Sequence, residues 1–153
     1  MNYINGSELA NKRFIQLENG DLGEVLKGKF IPNDGEQYYF LNIGGSVRAT
    51  YNNSSADKWT IKHNLVFRTY EECEDYKKFL ELLDEYSFKP NWDDPNQERW
   101  MICFNHVEHR IEWFRLYAMQ YHSSCFKSKE RGEAFVEAVG EEAVERYMFD
   151  YWR

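Results

Sequence analysis

The sequence contains little cysteine, proline or glycine, and it has no long apolar run. Its three cysteines, Cys73, Cys103 and Cys125, form no CxxC pair, which disfavours a disulfide framework and favours a reducing compartment such as the cytoplasm. Three prolines and nine glycines among 153 residues are too few for a disordered or fibrous chain. No stretch approaches the roughly 18 apolar residues of a membrane span, and the first residues carry neither a basic nor an apolar signal segment. We therefore expect neither membrane insertion nor secretion.

Motifs of common catalytic and metal sites are also missing. The sequence has no glycine-rich phosphate loop, no HExxH motif and no nucleophile elbow. Two pairs, Cys103 with His106 and His122 with Cys125, have the spacing of zinc ligands. Residues three apart on a strand point to opposite faces, however, so Cys103 and His106 would converge only around a bulge. We predict that the chain is not an enzyme and holds neither a metal nor a cofactor.

Aromatic rings and acidic residues are abundant. Phe, Tyr and Trp make up 18% of the chain, more rings than a core of this size can hide, so some must reach the surface. The net charge is −7, and residues 67–98 alone carry ten acidic and four basic side chains. Such a segment repels phosphate groups and attracts basic protein surfaces. The charge therefore favours a basic protein partner over direct nucleic-acid binding.

The first half of the chain predicts a small antiparallel sheet. Residues 1–37 are expected to form an appendage with a short helix that begins near Ser7 and ends before the turn signal at residues 19–21. Residues 38–43 and 46–51 have the composition of strands joined by the tight turn Gly44-Gly45. Residues 59–66 alternate apolar and polar side chains, which predicts a third strand.

A helix is predicted after this sheet. Thr69 stands three residues before Glu72, the spacing of a capping box. Cys73, Tyr76, Phe79, Leu80, Leu83 and Tyr86 then recur at steps of three and four residues, so that they form one apolar stripe. The helix should end near Ser87, just before a proline.

The second half repeats this order of elements. After the acidic linker 89–98 come a strand within 99–106, one or two strands within 110–121, a helix capped by Ser128 and a last helix over 141–149. We therefore predict an α+β fold built from two related β-β-β-α units, residues 38–88 and 99–153, in one compact body whose helices cover the antiparallel sheets. An exposed edge strand at 38–43 would allow a homodimer.

Several segments resemble small uncharacterised proteins encoded by phages and prophages of Gram-positive bacteria. The resemblance extends over about residues 36–153 and is carried by the segments 66–72, 88–94, 125–130, 139–142 and 146–149. It implies an accessory gene product acting in the cytoplasm of the host cell, a setting that includes inhibitors of host defence. It implies no activity and no catalytic residue.

Two surfaces are candidates for binding a partner. The first is acidic, and the second is one face of the strand after residue 110, where tryptophan, arginine and tyrosine are typical of interface hot spots. The acidic residues are equally explained as the solvated side of a helix, and the strand residues as part of a core buried on both faces. The candidates are Glu71, Glu74, Asp75, Glu81, Glu85, Asp93 and Asp94 for the acidic surface and Trp113, Arg115 and Tyr117 for the strand.

Two functional hypotheses follow. The first is a non-enzymatic interaction protein that binds a basic surface of a host protein, in its specific form an inhibitor that imitates nucleic acid in the groove of a defence nuclease such as a CRISPR effector. The second is a module for single-stranded nucleic acid, in which rings on a sheet stack on bases beside basic side chains. The rings proposed for stacking are Tyr38, Phe40, Trp113 and Tyr117, with Arg48, Lys62 and Arg115 nearby.

Overall fold

The computed structural model describes residues 13–16 and 22–25, 29–117 and 124–151, and it divides the chain into two units. One unit contains residues 1–29 and 152–153 and the other residues 30–151. In the first unit, β1 (Arg13–Gln16) pairs antiparallel with β2 (Leu22–Val25). The predicted helix is therefore wrong over residues 13–16, where ring and β-branched side chains favour an extended backbone. The start of that helix near Ser7 lies outside the described residues.

The second unit opens with a three-stranded antiparallel sheet. β3 (Gln37–Asn42) and β4 (Gly45–Thr50) form the predicted hairpin, and Gly45 has the positive φ of 116° that its turn requires. β5 (Val66–Phe67) pairs with the other side of β3, which gives the order β4-β3-β5. The expectation that residues 38–43 form an edge strand is therefore wrong, because β3 is the central strand and β4 is at the edge.

The predicted third strand at 59–66 is a helix over most of its length. α1 (Ser55–His63) begins with a capping box in which Ser54 Oγ accepts from the Asp57 backbone N–H at 3.1 Å and the Asp57 carboxylate accepts from the Ser54 N–H at 3.2 Å. Both bonds satisfy donors that a helix start would leave unpaired. This local cap outweighs the period-two pattern, and only Val66 of the predicted strand lies in β5.

α1 is tied to the sheet by a buried hydrogen bond. The Tyr38 hydroxyl of β3 donates to Asp57 Oδ1 at 2.9 Å, and both side chains are buried. Burial raises the pKa of Tyr38 to about 12, and the neighbouring Asp57 carboxylate adds to the effect. The backbone N–H of Asn52, followed by the Ser54 hydroxyl, lowers the pKa of Asp57 from 3.8 to about 2.

The stabilising contribution of Asp57 should therefore disappear in acid. Because its folded pKa lies below the unfolded value of 3.8, the contribution is complete above that pH and is lost as the pH falls towards 2. The gap in unfolding free energy between the native chain and Asp57→Asn should narrow in urea titrations from about pH 5 to about pH 2. Asp34→Asn, at an exposed turn, controls for loss of one carboxylate. A gap that stays constant down to pH 2 would contradict this assignment.

The remaining predicted elements are present. They are α2 (Tyr70–Tyr86), β6 (Trp100–Asn105), β7 (Arg110–Arg115), α3 (Lys129–Val139) and α4 (Glu141–Phe149). β6 and β7 form an antiparallel hairpin, and Trp100 also bridges to Phe126 just before α3. Gly140, with φ of 86°, ends α3 and begins α4. The strand expected up to residue 121 is seen only to Arg115, and residues 118–123 lie outside the described residues.

The core lies between the β6–β7 hairpin and helices α2, α3 and α4. Its buried centre consists of Phe79, Ile102, Phe126, Phe135 and Val144. Helices and antiparallel sheets share this chain, so the α+β class is confirmed. The structure does not show the internal repeat, since α1 stands between the hairpin and β5 in the first segment, whereas α3 and α4 are consecutive in the second. Among the described residues, no helix is long and apolar enough to cross a bilayer.

Candidate functional site

Helix α2 carries most of the predicted acidic surface. Its first turn is held by the predicted capping box, in which Thr69 Oγ1 accepts from the Glu72 N–H at 3.2 Å and the Glu72 carboxylate accepts from the Thr69 N–H at 3.3 Å. At its other end, the Arg131 guanidinium of α3 lies 4.1 Å from the centre of the Tyr86 ring and donates to the Glu85 carbonyl at 3.1 Å. Both ends of α2 are therefore anchored.

The apolar stripe of α2 faces the core, as the periodicity predicts. Cys73 and Phe79 are buried, and Tyr76 and Phe79 pack against the Tyr147 ring of α4 at centroid distances of 4.8 and 5.1 Å. Burial raises the pKa of both Tyr76 and Tyr147. Leu80 departs from the prediction, because it is exposed. The buried stripe determines which side chains of α2 point to solvent.

Five carboxylates of α2 lie on its exposed side. All are exposed, and within the described part of the chain none of them forms an ion pair or hydrogen bond. Four belong to the predicted set, and Asp84 joins them. At 1.5 Å of rise per residue, the set extends over about 21 Å of helix. The residues are Glu71, Asp75, Glu81, Asp84 and Glu85.

Glu74, also predicted for this surface, is engaged elsewhere. Its carboxylate accepts from the Ser46 hydroxyl of β4 at 2.5 Å and lies 3.9 Å from the Lys77 ammonium. These partners lower its pKa, the Ser46 hydrogen bond most strongly. Glu74 therefore connects α2 to the edge strand and does not belong to the unpaired group.

The acidic linker is a loop held by several hydrogen bonds. The Asp93 backbone N–H donates to the Asn91 side chain at 3.1 Å, and Asp94 Oδ1 accepts from the Asn96 N–H at 2.9 Å, both typical of Asx turns. Arg99 lies beneath the loop, 1% exposed, and donates to the Asn91 and Asp94 carbonyls at 2.7 and 2.5 Å. Asp93 is exposed and Asp94 is half-buried. The turns of this loop account for the presence of both aspartates.

Trp113 occupies a different place from the one expected. Its ring packs against the core, edge-on to Phe126 at 6.0 Å between centroids, and covers Gly132 of α3. The expectation that this face of the strand exposes the tryptophan is therefore wrong. The open face of β7 instead presents Phe114, which is 59% exposed. Trp113 is therefore half-buried and contributes to the packing of the fold.

Arg115 and Tyr117 remain on the surface. The Arg115 guanidinium lies 5.2 Å from the centre of the Tyr117 ring and donates to Glu98 at 2.7 Å. Tyr117 is 71% exposed. These two predicted residues therefore form a small surface cluster with Glu98, at the end of the acidic linker.

Three residues with clear structural roles were not singled out from the sequence. Arg99 and Gly132 are buried, and no local pattern marks a buried arginine or a glycine beneath a ring. Trp59 was assigned to a strand, but on α1 it is 62% exposed and stacks with His63 at 4.7 Å. The Ser54-x-x-Asp57 cap was the available signal for that helix.

No cluster of three or more histidine, cysteine or acidic side chains suited to a metal is present in the described ranges. Cys103 and Glu112 are cross-strand neighbours on the open face of the hairpin, whereas Cys125 is buried. His122, the fourth residue of the zinc pattern considered above, lies outside those ranges.

Comparison with known proteins does not identify a family for this chain. No protein-family model, no curated protein and no solved structure matches the chain.

Proposed function

We propose that this chain is a non-enzymatic interaction protein that binds a basic protein surface through the exposed acidic face of α2. The observation that carries the proposal is the set of five exposed, unpaired carboxylates on that helix. They lie in the segment that holds nearly all of the net charge of −7. Lys77 and Lys78 of the same helix offset only part of this charge, so a net negative field remains that can act on an approaching partner.

On other elements, several carboxylates are paired among the described residues. On the β6–β7 hairpin, Glu112 lies 3.0 Å from Arg110, and on α3 and α4 Glu133 pairs with Lys129 and Glu142 with Arg146. On α2, within the part of the chain that the structure describes, Glu74 pairs with Lys77. Unneutralised carboxylates on one face raise the rate at which a positively charged surface arrives and suppress binding to anionic ones.

The face is also preorganised. α2 has a capping box at one end, the Arg131 contact at the other and a buried stripe along its length. Tyr70, in the first turn, is 49% exposed and leans edge-on against Tyr39 of the sheet at 6.2 Å. A rigid charged surface with a partly exposed tyrosine loses little conformational entropy on binding.

More specifically, the proposed partner is a defence nuclease of the host cell. The acidic helix would take the place of nucleic acid in the groove of that enzyme. Two arguments support this choice. A groove that binds phosphates presents lysine and arginine, the groups that unpaired carboxylates attract. The resemblance to phage and prophage proteins supplies a second argument, because a phage benefits when a defence nuclease of its host is blocked.

Neutralising the α2 face should weaken partner binding much more than neutralising three exposed acids of α3 and α4. The test variant is Glu71→Gln, Glu81→Gln, Glu85→Gln, and the matched control is Glu133→Gln, Glu137→Gln, Glu141→Gln, all at exposed positions. With a panel of RNA-guided nucleases as probes, we expect the native chain to slow DNA cleavage. Its association rate should fall at least about tenfold between roughly 0.05 and 0.5 M salt. The α2 variant should lose most of this binding, and the control should retain it.

Three results would contradict the proposal. Association that does not respond to salt would exclude electrostatic mimicry. Equal loss in both triple variants would show that total charge matters and the α2 face does not. Native chain that leaves cleavage by the whole panel unchanged would remove the nuclease as partner, and basic proteins of other kinds would then be the probes for the broader proposal.

A second candidate function is binding of single-stranded nucleic acid, and one observation favours it. The sheet platform first considered is not open, because Tyr38 is buried and Trp113 packs into the core. α1, however, exposes Trp59 beside Lys58 and Lys62, a ring for base stacking next to cations for phosphate. Filter retention of a labelled oligonucleotide, compared between the native chain and Trp59→Ala, separates this function from protein binding.

A further inference from the structure

We propose that β4 is the interface of a homodimer, in which the β4 strands of two copies pair antiparallel with Val47 opposite Val47 of the second copy. The sheet would then continue from one copy into the other about a two-fold axis. This inference is independent of the acidic-face proposal, because the unpaired carboxylates of α2 take no part in it.

Among the described edge strands β4, β5 and β7, β4 is the one that least resembles a protected edge. Natural edges are commonly short or carry charges that discourage pairing. β5 has only two residues, and β7 carries Arg110, Glu112 and Arg115 within six residues. β4 has six residues, contains neither proline nor lysine, and includes Arg48 as its one charged side chain.

The hydrogen bonds of the hairpin show which backbone groups of β4 face outwards. Asn42 and Gly45 close a two-residue turn, and Tyr51 exchanges bonds with the preceding chain, donating to the Glu36 carbonyl at 2.9 Å and accepting from the Gly35 N–H at 2.7 Å. Because the direction alternates along an antiparallel strand, residues 45, 47, 49 and 51 point towards β3. The N–H and C=O groups of Ser46, Arg48 and Thr50 therefore point outwards.

The outward backbone groups of one β4 strand can bond only to outward backbone groups of the other. This requirement restricts the register in which the two strands can pair. With Val47 on the two-fold axis, Ser46 lies opposite Arg48 of the second copy, and five residues of each strand pair. The alternative of equal length places Arg48 opposite Arg48, where like charges in direct opposition destabilise a sheet. The register centred on Val47 avoids this repulsion.

Charge complementarity selects the same register. Arg48 is exposed and forms no ion pair among the described residues, and its cross-strand neighbour is Tyr39, which faces α2. On that face Ser46 is bonded to Glu74 at 2.5 Å. Directly opposite residues of an antiparallel pair share a face, so Arg48 of each copy would lie beside Ser46 and Glu74 of the other. Symmetry supplies this contact twice.

Charge reversal with rescue tests the pairing. Sedimentation equilibrium of the native chain over about 1 to 500 µM should show reversible dimerisation, weak because the paired edge is small. Arg48→Glu and Glu74→Arg should each raise the dimer dissociation constant at least about tenfold, since two attractions become repulsions. The double variant should restore the native value. Lys58→Glu, which makes the same change of charge on α1, should leave it unaltered.

Three other outcomes of this experiment would count against the proposal. A chain that stays monomeric over the whole range would overturn the dimer, and a dimer unaffected by Arg48→Glu would move it to another surface. Loss in both single variants without rescue in the double would overturn the Arg48–Glu74 contact.

Cross-linking tests the register separately. In a Cys103→Ser background, with Cys73 and Cys125 buried, Val47→Cys should form an intermolecular disulfide under mild oxidation, since residues opposed on the axis approach to about 4.5 Å between Cα atoms. Ala49→Cys should not, because its two copies would lie about 13 Å apart along the strands. Efficient cross-linking at position 49 and none at 47 would overturn the register.

Discussion

Replacing Arg99 with methionine is expected to destabilise the chain by about 3 kcal/mol or more. The guanidinium is buried and donates to the carbonyls of Asn91, Asp94 and Tyr117 at 2.7, 2.5 and 3.4 Å. Its Cζ atom also lies 4.8 Å from the centre of the Trp92 ring. Methionine preserves much of the volume but leaves these carbonyl oxygens without their charged donor, and a hydrogen bond from a charged group contributes about 1.5 to 3 kcal/mol.

Urea denaturation measures this loss, and two further variants define its cause. Arg99→Lys should recover little, because a single ammonium cannot reproduce the planar fork that reaches carbonyls of two chain segments. Arg115→Met removes an exposed arginine paired with Glu98 and should cost at most about 1 kcal/mol. If Arg99→Met were as stable as Arg115→Met, the loop would not depend on the buried guanidinium.

Gly132→Ala should also destabilise the chain, by about 2 to 3 kcal/mol. In an exposed helix position the same change stabilises by up to about 1 kcal/mol, because alanine has the higher helix propensity. Gly132 is buried in α3, and a Cβ built there would lie 2.2 and 2.4 Å from two carbons of the Trp113 ring. That ring packs against Phe126, so it cannot move away without opening the core.

A double-mutant cycle isolates this contact. Trp113→Leu removes the ring, and we expect it to cost about 3 kcal/mol through the cavity that it leaves. In that background, Gly132→Ala should become neutral or slightly stabilising, and the change of sign is the diagnostic result. Glu133→Ala, at the exposed neighbouring position, should change the unfolding free energy by less than about 0.5 kcal/mol. If Gly132→Ala cost as much in the Trp113→Leu background as in the native chain, the penalty would originate in the helix itself.

The role of Trp113 shows where sequence patterns reach their limit. Alternation correctly separates the two faces of β7, because side chains on a strand alternate regardless of what covers them. Which face is covered depends on α3, whose Gly132 follows Trp113 by nineteen positions and leaves room for the ring. Tryptophan is as typical of a core as of an interface. Its residue type therefore could not decide between the two.

Residues 54–66 show a conflict between two local signals. The alternation after Trp59 favours a strand, and the Ser54-x-x-Asp57 cap favours a helix. The helix forms because Asp57 serves twice, accepting from the backbone at its own cap and from the Tyr38 hydroxyl of the sheet. The second bond joins residues nineteen positions apart and is not visible in a window of neighbouring residues.

The sequence by itself determined the elements whose signals are local: the tight turn of β3 and β4, the capped ends of α2 and α3, and the solvated acids opposite the stripe of α2. Those features depend on contacts between residues at most a few positions apart. Only the tertiary structure decided that Trp113 packs against the core, that β4 is an outer strand of its sheet, and which carboxylates form no ion pair with another described residue. Each of these features depends on segments that are distant in the sequence. The burial of a side chain and the neutralisation of its charge are determined by which of those segments pack next to it.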